Sequence, residues 1–388
     1  MTHPEPITTW NWNQAPHNRW SFQHVQALFP TCRLSKGAAS PFAFTQAPQD
    51  LSGIVYQRTD GTAGTVEQML ADSYTDSFLV MKSGAIVSEQ YFNGMTADSH
   101  HLLNSVTKSF LGMLAGIAVH NGQLDPEALV TDYLPELDAS AWGGTTVRHL
   151  LDMTAGVDYG EDYADRDSDF WHEAATVGWR PDLVTASSPG TLFDYAKSLR
   201  GKDQEDGSKF HYRTVTTDVI GILLEQVMDG SLDQLLTEHL WSRMGPRNDA
   251  SIVVDKSGAL YVGAGMSACT RDLAVFGSLM IGDGVVEGEQ IVPVEWIQDT
   301  MRGDETSSQC YLDSEYAAFG FSHYRNQVWV KDSAGEQMLA LGIHGQIIYM
   351  NKPAEVVIVK LSTQPEQVIP EMFIDGFAAM DAIATALC

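Results

Sequence analysis

The chain has 388 residues, 44% of them hydrophobic, about two domains' worth of polypeptide with ample material for a core. Its formal net charge of -27 and pI near 4.6 exclude the basic surface that nucleic acid demands and disfavour docking to anionic lipid. The acidic residues are spread along the chain rather than gathered in a tail, which marks a solvated, solubilising surface.

The opening stretch, MTHPEPITTWNWNQAPHNRW, has no basic segment followed by an apolar one, so no secretory leader is expected there. Residues 1–70 are rich in Pro, Gly and polar side chains and carry Trp10, Trp12 and Trp20, a composition suited to wrapping over a globular body. Residues 77–92, SFLVMKSGAIVSEQYF, hold two β-rich runs around Lys82-Ser83-Gly84 and predict a hairpin. Residues 105–121 predict a helix that is apolar on every side and is ended by Asn121-Gly122. Helical periodicity continues to about residue 250, through 216–228 and 231–244, with the acidic, aromatic run 158–173 read as a long loop. Strands return in SIVVD, QVWVKD, QIIYMN and EVVIVKLST, and 370–387 predicts a final amphipathic helix.

Strands at both ends with helices between them predict an α/β domain built from residues 1–102 and 251–388, with a mainly helical domain, 103–250, inserted. No run of 18 or more apolar residues appears, so no membrane span is expected. Cys32, Cys269, Cys310 and Cys388 are scattered without CxxC spacing, which predicts neither a disulfide framework nor a zinc site and points to a reducing, cytoplasmic home.

The helix at 105–121 carries one ammonium group, Lys108, three residues after Ser105. Side chains at i and i+3 share a helix face, so hydroxyl and amine can meet. The N–H groups and partial positive charge of a helix start favour an alkoxide or oxyanion, and the same field, with burial, pushes a lysine toward the neutral amine a base requires. The bland alternative is that Ser105 caps the helix while Lys108 snorkels to water; the residues alone leave both readings open. A third proton-handling group would complete the pair. Tyr212, just ahead of a strongly helical segment, is a candidate that spacing cannot select, since Tyr91, Tyr324 and Tyr349 have comparable polar neighbours. Gly342-Ile343-His344-Gly345, between two strand-like runs, could bring a backbone N–H to an oxyanion or could be a plain strand with a bulge. No GxSxG elbow, HExxH helix, Walker loop or dinucleotide fingerprint is present, and no cofactor or metal is expected.

Taken in order, APHNRW (15–20), HLLNSVTKS (101–109), VTDYLPEL (130–137), HLLDMTAGVDYGEDY (149–163), the Tyr212 region through Thr217-Asp218, CTRDLAVFG (269–277), GIHGQ (342–346) and VIVKLS (357–362) span most of the chain. This set resembles the penicillin-recognising serine hydrolases: class C β-lactamases, DD-peptidases and their esterase relatives. Within that superfamily it is most similar to the 6-aminohexanoate-dimer (nylon oligomer) hydrolases. The resemblance implies an α+β, β-lactamase/DD-peptidase-like fold: an antiparallel sheet flanked by helices plus an inserted all-α domain, with the site in the cleft between them. It implies Ser105 as nucleophile, Lys108 as base or proton relay, Tyr212 as proton shuttle, and the N–H groups of Ser105 and Ile343 as oxyanion hole. Tyr163 would sit on a loop that closes over substrate, and Ala174, Gly263 and His344 fall at or near substrate-binding positions. Thr214 stands where the second motif often ends in Asn or Ser, Lys-Thr-Gly is absent, and Ala174 and Gly263 replace an Asp and an Asn associated with amide-dimer hydrolysis.

The activity so implied is acyl-enzyme hydrolysis of small carboxylic esters and of linear amides such as aminohexanoate oligomers. A β-lactamase or DD-peptidase is the alternative, and a non-catalytic penicillin-binding-like module is a third reading that would ordinarily have lost Ser105 or Lys108. The partner expected is a small-molecule substrate, with homodimerisation left open.

Overall fold

The computed structural model describes residues 6–388; residues 1–5, part of the stretch read for a leader, lie outside the described residues. In chain order the elements that build the site are β1 (Thr31–Leu34), β2 (Thr45–Gln46), β3 (Thr75–Lys82), β4 (Ala85–Tyr91), β5 (His100–Leu102), α1 (Thr107–His120), α2 (Asp169–Ala175), α3 (Thr214–Met228), β6 (Ala250–Val253), β7 (Met266–Cys269) and α4 (Thr270–Ile281). They continue with β8 (His323–Arg325), β9 (Val328–Val330), β10 (Gln337–Gly342), β11 (Gln346–Asn351), β12 (Val356–Ser362) and α5 (Pro370–Ala386). An eight-stranded sheet runs β8-β9-β10-β11-β12-β3-β4-β2, and a four-stranded sheet runs β1-β6-β7-β5. All of these pairings are antiparallel except β2 on β4.

The period-2 pattern of β12 explains the layers. Val357, Val359 and Leu361 face the core under α4 and α1, whereas Val356 and Ile358 face the core under α5. Strand β12 therefore buries both faces, as its nearly unbroken apolar sequence requires. The β3–β4 hairpin turns at Ser83 and Gly84, both with positive φ (48° and 80°), a geometry that glycine and short polar residues adopt most readily. Between β5 and β6 the chain holds helices, turns and isolated bridges.

Two segments differ from their sequence patterns. The acidic run 158–173 is not loop throughout, because α2 occupies its C-terminal part and buries Phe170, Trp171 and Glu173. The segment 231–244 keeps helical periodicity but divides into a short α-helix, a π turn at Thr237–Trp241 and a 3₁₀ turn, which together bury Leu240, Trp241 and Met244. The N-terminal wrap is also more ordered than its composition suggests, since it supplies β1 and β2 and seats Trp12 between Phe29 and Trp179.

Helix α1 is buried from Thr107 through Ala118. Close packing around it depends on two glycines. The Gly112 carbonyl accepts from Trp296 Nε1 at 2.9 Å, and a Cβ on Gly116 would lie 2.3 Å from the same indole. Helix α4 approaches the sheet in the same way, with a Cβ at Gly277 falling 2.3 Å from Val357 Cγ1 and 3.4 Å from Ile348 Cγ2. We expect Gly277→Ala to destabilise the protein by roughly 1–3 kcal/mol through overpacking, despite alanine's better helix propensity. Thermal unfolding checks this, and an unchanged midpoint would show that the helix–sheet contact is looser than described.

Candidate active site

Asn104–Val106 form a 3₁₀ turn that runs directly into α1. Ser105 therefore makes no capping bond; its hydroxyl turns toward Lys108, whose Nζ donates to Ser105 Oγ at 2.9 Å. The lysine is 1% exposed, which removes the snorkelling alternative. Its other two N–H groups go to Thr214 Oγ1 at 3.0 Å and the Gly263 carbonyl at 2.5 Å. Burial brings its pKa down from 10.5 to about 8, against the opposing charges of Glu161, Asp218 and Glu173. At pH 7 about a tenth of the molecules then carry a neutral amine, compared with roughly three in ten thousand for an unperturbed lysine.

Tyr212 is held just ahead of α3 by its neighbour Arg213, which donates to the Ala155 carbonyl and to both oxygens of Asp203, each at 2.6 Å. The Tyr212 ring stacks on Trp329, with centroids 5.4 Å apart, and both Tyr212 and Ser105 line the cleft. Lys108 Nζ stands 5.0 Å from the ring centroid. Burial, and then the charge of Glu161, pushes the phenol well above 10, so it remains a protonated donor.

A carboxylate absent from the sequence-based site joins these groups. Glu161 Oε2 accepts from Thr214 N at 2.5 Å, and Oε1 accepts from the Thr214 hydroxyl and the Tyr163 hydroxyl, both at 2.7 Å. It thus binds the first turn of α3, where its negative charge suits the helix field, and touches the hydroxyl that Lys108 also uses. Burial raises its pKa while the Lys108 charge opposes that rise. In sequence Glu161 stands among Asp158, Asp162, Asp165 and Asp167, with no spacing to single it out.

The Ile343 loop meets the serine through close backbone packing. A Cβ on Gly342 would lie 2.4 Å from the Leu103 carbonyl and 3.1 Å from Ser105 N, so only glycine lets the end of β10 approach the 3₁₀ turn. Two buried carboxamides fix the next carbonyl: Asn104 Nδ2 and Gln346 Nε2 donate to Ile343 O at 3.0 and 3.1 Å. Asn104 does so from the left-handed region, with φ 48°, a conformation asparagine tolerates better than most residues. These contacts put the backbone of Ser105 and Ile343 at one end of an aromatic cleft of about 130 Å³ that also receives Glu161, Tyr163 and Tyr212.

Three of the residues expected at substrate-binding positions do not line the cleft. Ala174 lies in α2, fully buried in the helical core, so it presents nothing to the cleft. Gly263 works through its backbone: its carbonyl receives Lys108 and its N–H donates to Asp218 Oδ1 at 3.0 Å. A Cβ there would lie 2.4 Å from Thr214 Cγ2 and 3.0 Å from Asp218 Oδ2, so no longer side chain could reach substrate without displacing them. His344 turns away from the cleft into the protein, where its Nδ1 lies 2.7 Å from the Gln364 carbonyl and its ring meets the edge of Phe22; burial pushes its pKa down to about 4. Tyr163 does line the cleft. Behind Gly263, Glu173 and Asp218 form a buried carboxyl pair; burial raises the pKa of both, and Asp218 accepts from the Gly263 N–H. Among the described residues no group of three or more His, Cys, Asp or Glu is placed to hold a metal ion, and no helix is long and apolar enough to cross a membrane.

The profile of the β-lactamase family matches residues 63–372. The chain is 32% identical over 359 residues to a 6-aminohexanoate-dimer hydrolase of Paenarthrobacter ureafaciens, covering 92% of this chain and 88% of that one. A Bacillus anthracis structure described as a 6-aminohexanoate-dimer hydrolase superposes with a TM-score of 0.87 at 25% identity, covering 100% of this chain and 98% of that one. A family VIII carboxylesterase has the same fold, with a TM-score of 0.58 at 17% identity over 82% of this chain and 97% of its own.

The geometry makes Lys108 the lysine whose titration is most informative. In an NMR titration of 13Cε-labelled lysines, we expect one resonance with a midpoint near 8 that disappears in Lys108→Met. In Glu161→Gln the midpoint should move lower, because loss of the nearby negative charge disfavours the ammonium. A midpoint that stays at the ordinary lysine value would show that Lys108 is solvated.

Proposed function

This chain belongs to the β-lactamase family and is a hydrolase, and from that premise we propose that it is a serine hydrolase that works through an acyl-enzyme on Ser105. Its substrates in this reading are small carboxylic esters and, secondarily, linear amides. The observation that carries the proposal is the fully buried hydrogen bond from Lys108 Nζ to Ser105 Oγ, 2.9 Å long, in a lysine whose pKa burial lowers to about 8.

In the proposed cycle the neutral amine of Lys108 takes the Ser105 proton as Oγ attacks the substrate carbonyl carbon. The developing oxyanion is received by the N–H groups of Ser105 and Ile343. As the tetrahedral intermediate collapses, Tyr212 gives its hydroxyl proton to the leaving oxygen or nitrogen and is reprotonated from the Lys108 ammonium. The bond between carbonyl carbon and leaving group breaks, leaving the acyl group on Ser105. Water then attacks, the same groups move protons in the reverse sense, and the carboxylic acid leaves with Ser105 restored. The raised pKa of Tyr212 supports its role as a donor, and its place beside Ser105 in the cleft, with Lys108 Nζ 5.0 Å from its ring centroid, supports its position in the relay. Glu161 and Thr214 act as positioning groups for the lysine.

Intact-protein mass spectrometry after treatment with a fluorophosphonate tests the nucleophile. One adduct is expected on the wild type and none on Ser105→Ala; equal labelling of both would sink the assignment. Lys108→Ala and Tyr212→Phe should each lower kcat for p-nitrophenyl ester hydrolysis by on the order of 10²–10⁴ while circular dichroism stays native. Wild-type kcat/KM should rise with pH through about 8 as Lys108 deprotonates. Near-normal turnover in either variant would remove that residue from the relay.

A further inference from the structure

The cleft that receives Ser105 is bounded by Tyr316, Phe319, Phe321, Trp329, Leu341 and Phe377, with Val368 at its mouth. Its polar side-chain groups are those of Ser105, Glu161, Tyr163, Tyr212 and Tyr316, with the indole N–H of Trp329. The Tyr163 hydroxyl is committed to Glu161. Among the described residues, no lysine, arginine or histidine lines the cleft.

Three basic side chains next to cleft residues are occupied elsewhere. Each N–H of Lys108 already has an acceptor: Ser105 Oγ, Thr214 Oγ1 and the Gly263 carbonyl. Arg213, beside Tyr212, is turned to the Ala155 carbonyl and Asp203. His344, beside Ile343, is 1% exposed and engaged with Gln364. The carboxyl that does reach the cleft wall is Glu161. A substrate carboxylate carried along these walls away from the serine would lose its water, find no cation to replace it, and face a group of its own sign.

We propose that, within the ester hydrolysis on which this inference rests, the enzyme selects substrates whose bound chain is uncharged and apolar or aromatic, and rejects substrates that carry a carboxylate into the cleft. An aliphatic or aryl chain replaces water against aromatic walls and gains by the area it buries. A carboxylate at the end of the same chain cancels that gain. Among linear amides, those with free carboxylate ends, including the zwitterionic aminohexanoate dimer, fall on the disfavoured side.

Paired substrates with one acyl length test this: p-nitrophenyl hexanoate and mono-p-nitrophenyl adipate, which replaces the terminal methyl of the chain with a carboxylate. Wild-type kcat/KM should favour the neutral ester by on the order of 10²-fold at pH 8. Val368 is 37% exposed at the mouth, so Val368→Arg can add a cation without disturbing the core and should narrow the ratio by about tenfold. Equal kcat/KM for the two esters in the wild type would overturn the selectivity while leaving the hydrolase reading intact. An unchanged ratio in Val368→Arg would overturn the missing cation as its cause. Failure to turn over either ester, with no adduct on Ser105, would overturn the hydrolase reading and this inference with it.

Discussion

The burial of one lysine organises this molecule. Lys108 is excluded from water and offers its three N–H groups to a serine hydroxyl, a threonine hydroxyl and a backbone carbonyl. Desolvation alone would make an ammonium costly there, and the hydrogen bonds, with the charges of Glu161 and Asp218, offset part of that cost. The balance leaves an amine that titrates near neutrality rather than near 10.5. Much of the surrounding structure can be understood as holding that balance. Glu161 stands one hydroxyl away across Thr214, and burial raises the pKa of both Glu173 and Asp218 behind Gly263, so the negative charge around the lysine is limited.

The scaffold serves the same end by close packing. Helix α1 can be buried on all sides because Gly112 and Gly116 admit the chain near Asn326 and the Trp296 indole at the backbone surface. The 3₁₀ turn ahead of it presents Ser105, and Asn104 accepts a left-handed conformation to join that turn to the Ile343 loop. The serine and the end of β10, from segments far apart in sequence, are thereby fixed through backbone contacts rather than long, mobile side chains. Such rigidity is what an oxyanion site requires, since donors aimed at a developing charge are effective only if they need not reorganise.

The chain's strong net negative charge belongs to its surface, whereas the cleft is largely aromatic. Tyr212 is shared between the two roles: its ring stacks on Trp329 within the aromatic lining, and it stands beside Ser105 in the cleft. The same residue thus couples the apolar wall to the polar cluster, so a bulky change at Trp329 would be felt at the serine as well as in the cleft.

Local patterns were legible in the residues. The hairpin around Ser83-Gly84, the continuous strands β11 and β12 and the all-apolar helix follow from period and turn chemistry, because those depend on neighbours within a few positions. Ser105 and Lys108 share that advantage, since an i, i+3 pair meets wherever the helix forms. Tyr212 could not be chosen by spacing and entered through resemblance; its stacking on Trp329 and the anchoring of Arg213 at Asp203 are contacts between distant segments. Glu161 was hidden in an acidic run because what distinguishes it is burial against Thr214, which no local pattern records. That Ala174, Gly263 and His344 do not line the cleft was hidden for the same reason: a position along the chain does not say which way a side chain turns, or whether the backbone takes its place. The sequence by itself determined the periodic elements and the serine–lysine pair, whereas tertiary packing decided which polar groups surround that pair, because desolvation and distant hydrogen bonds exist only once the chain has closed around them.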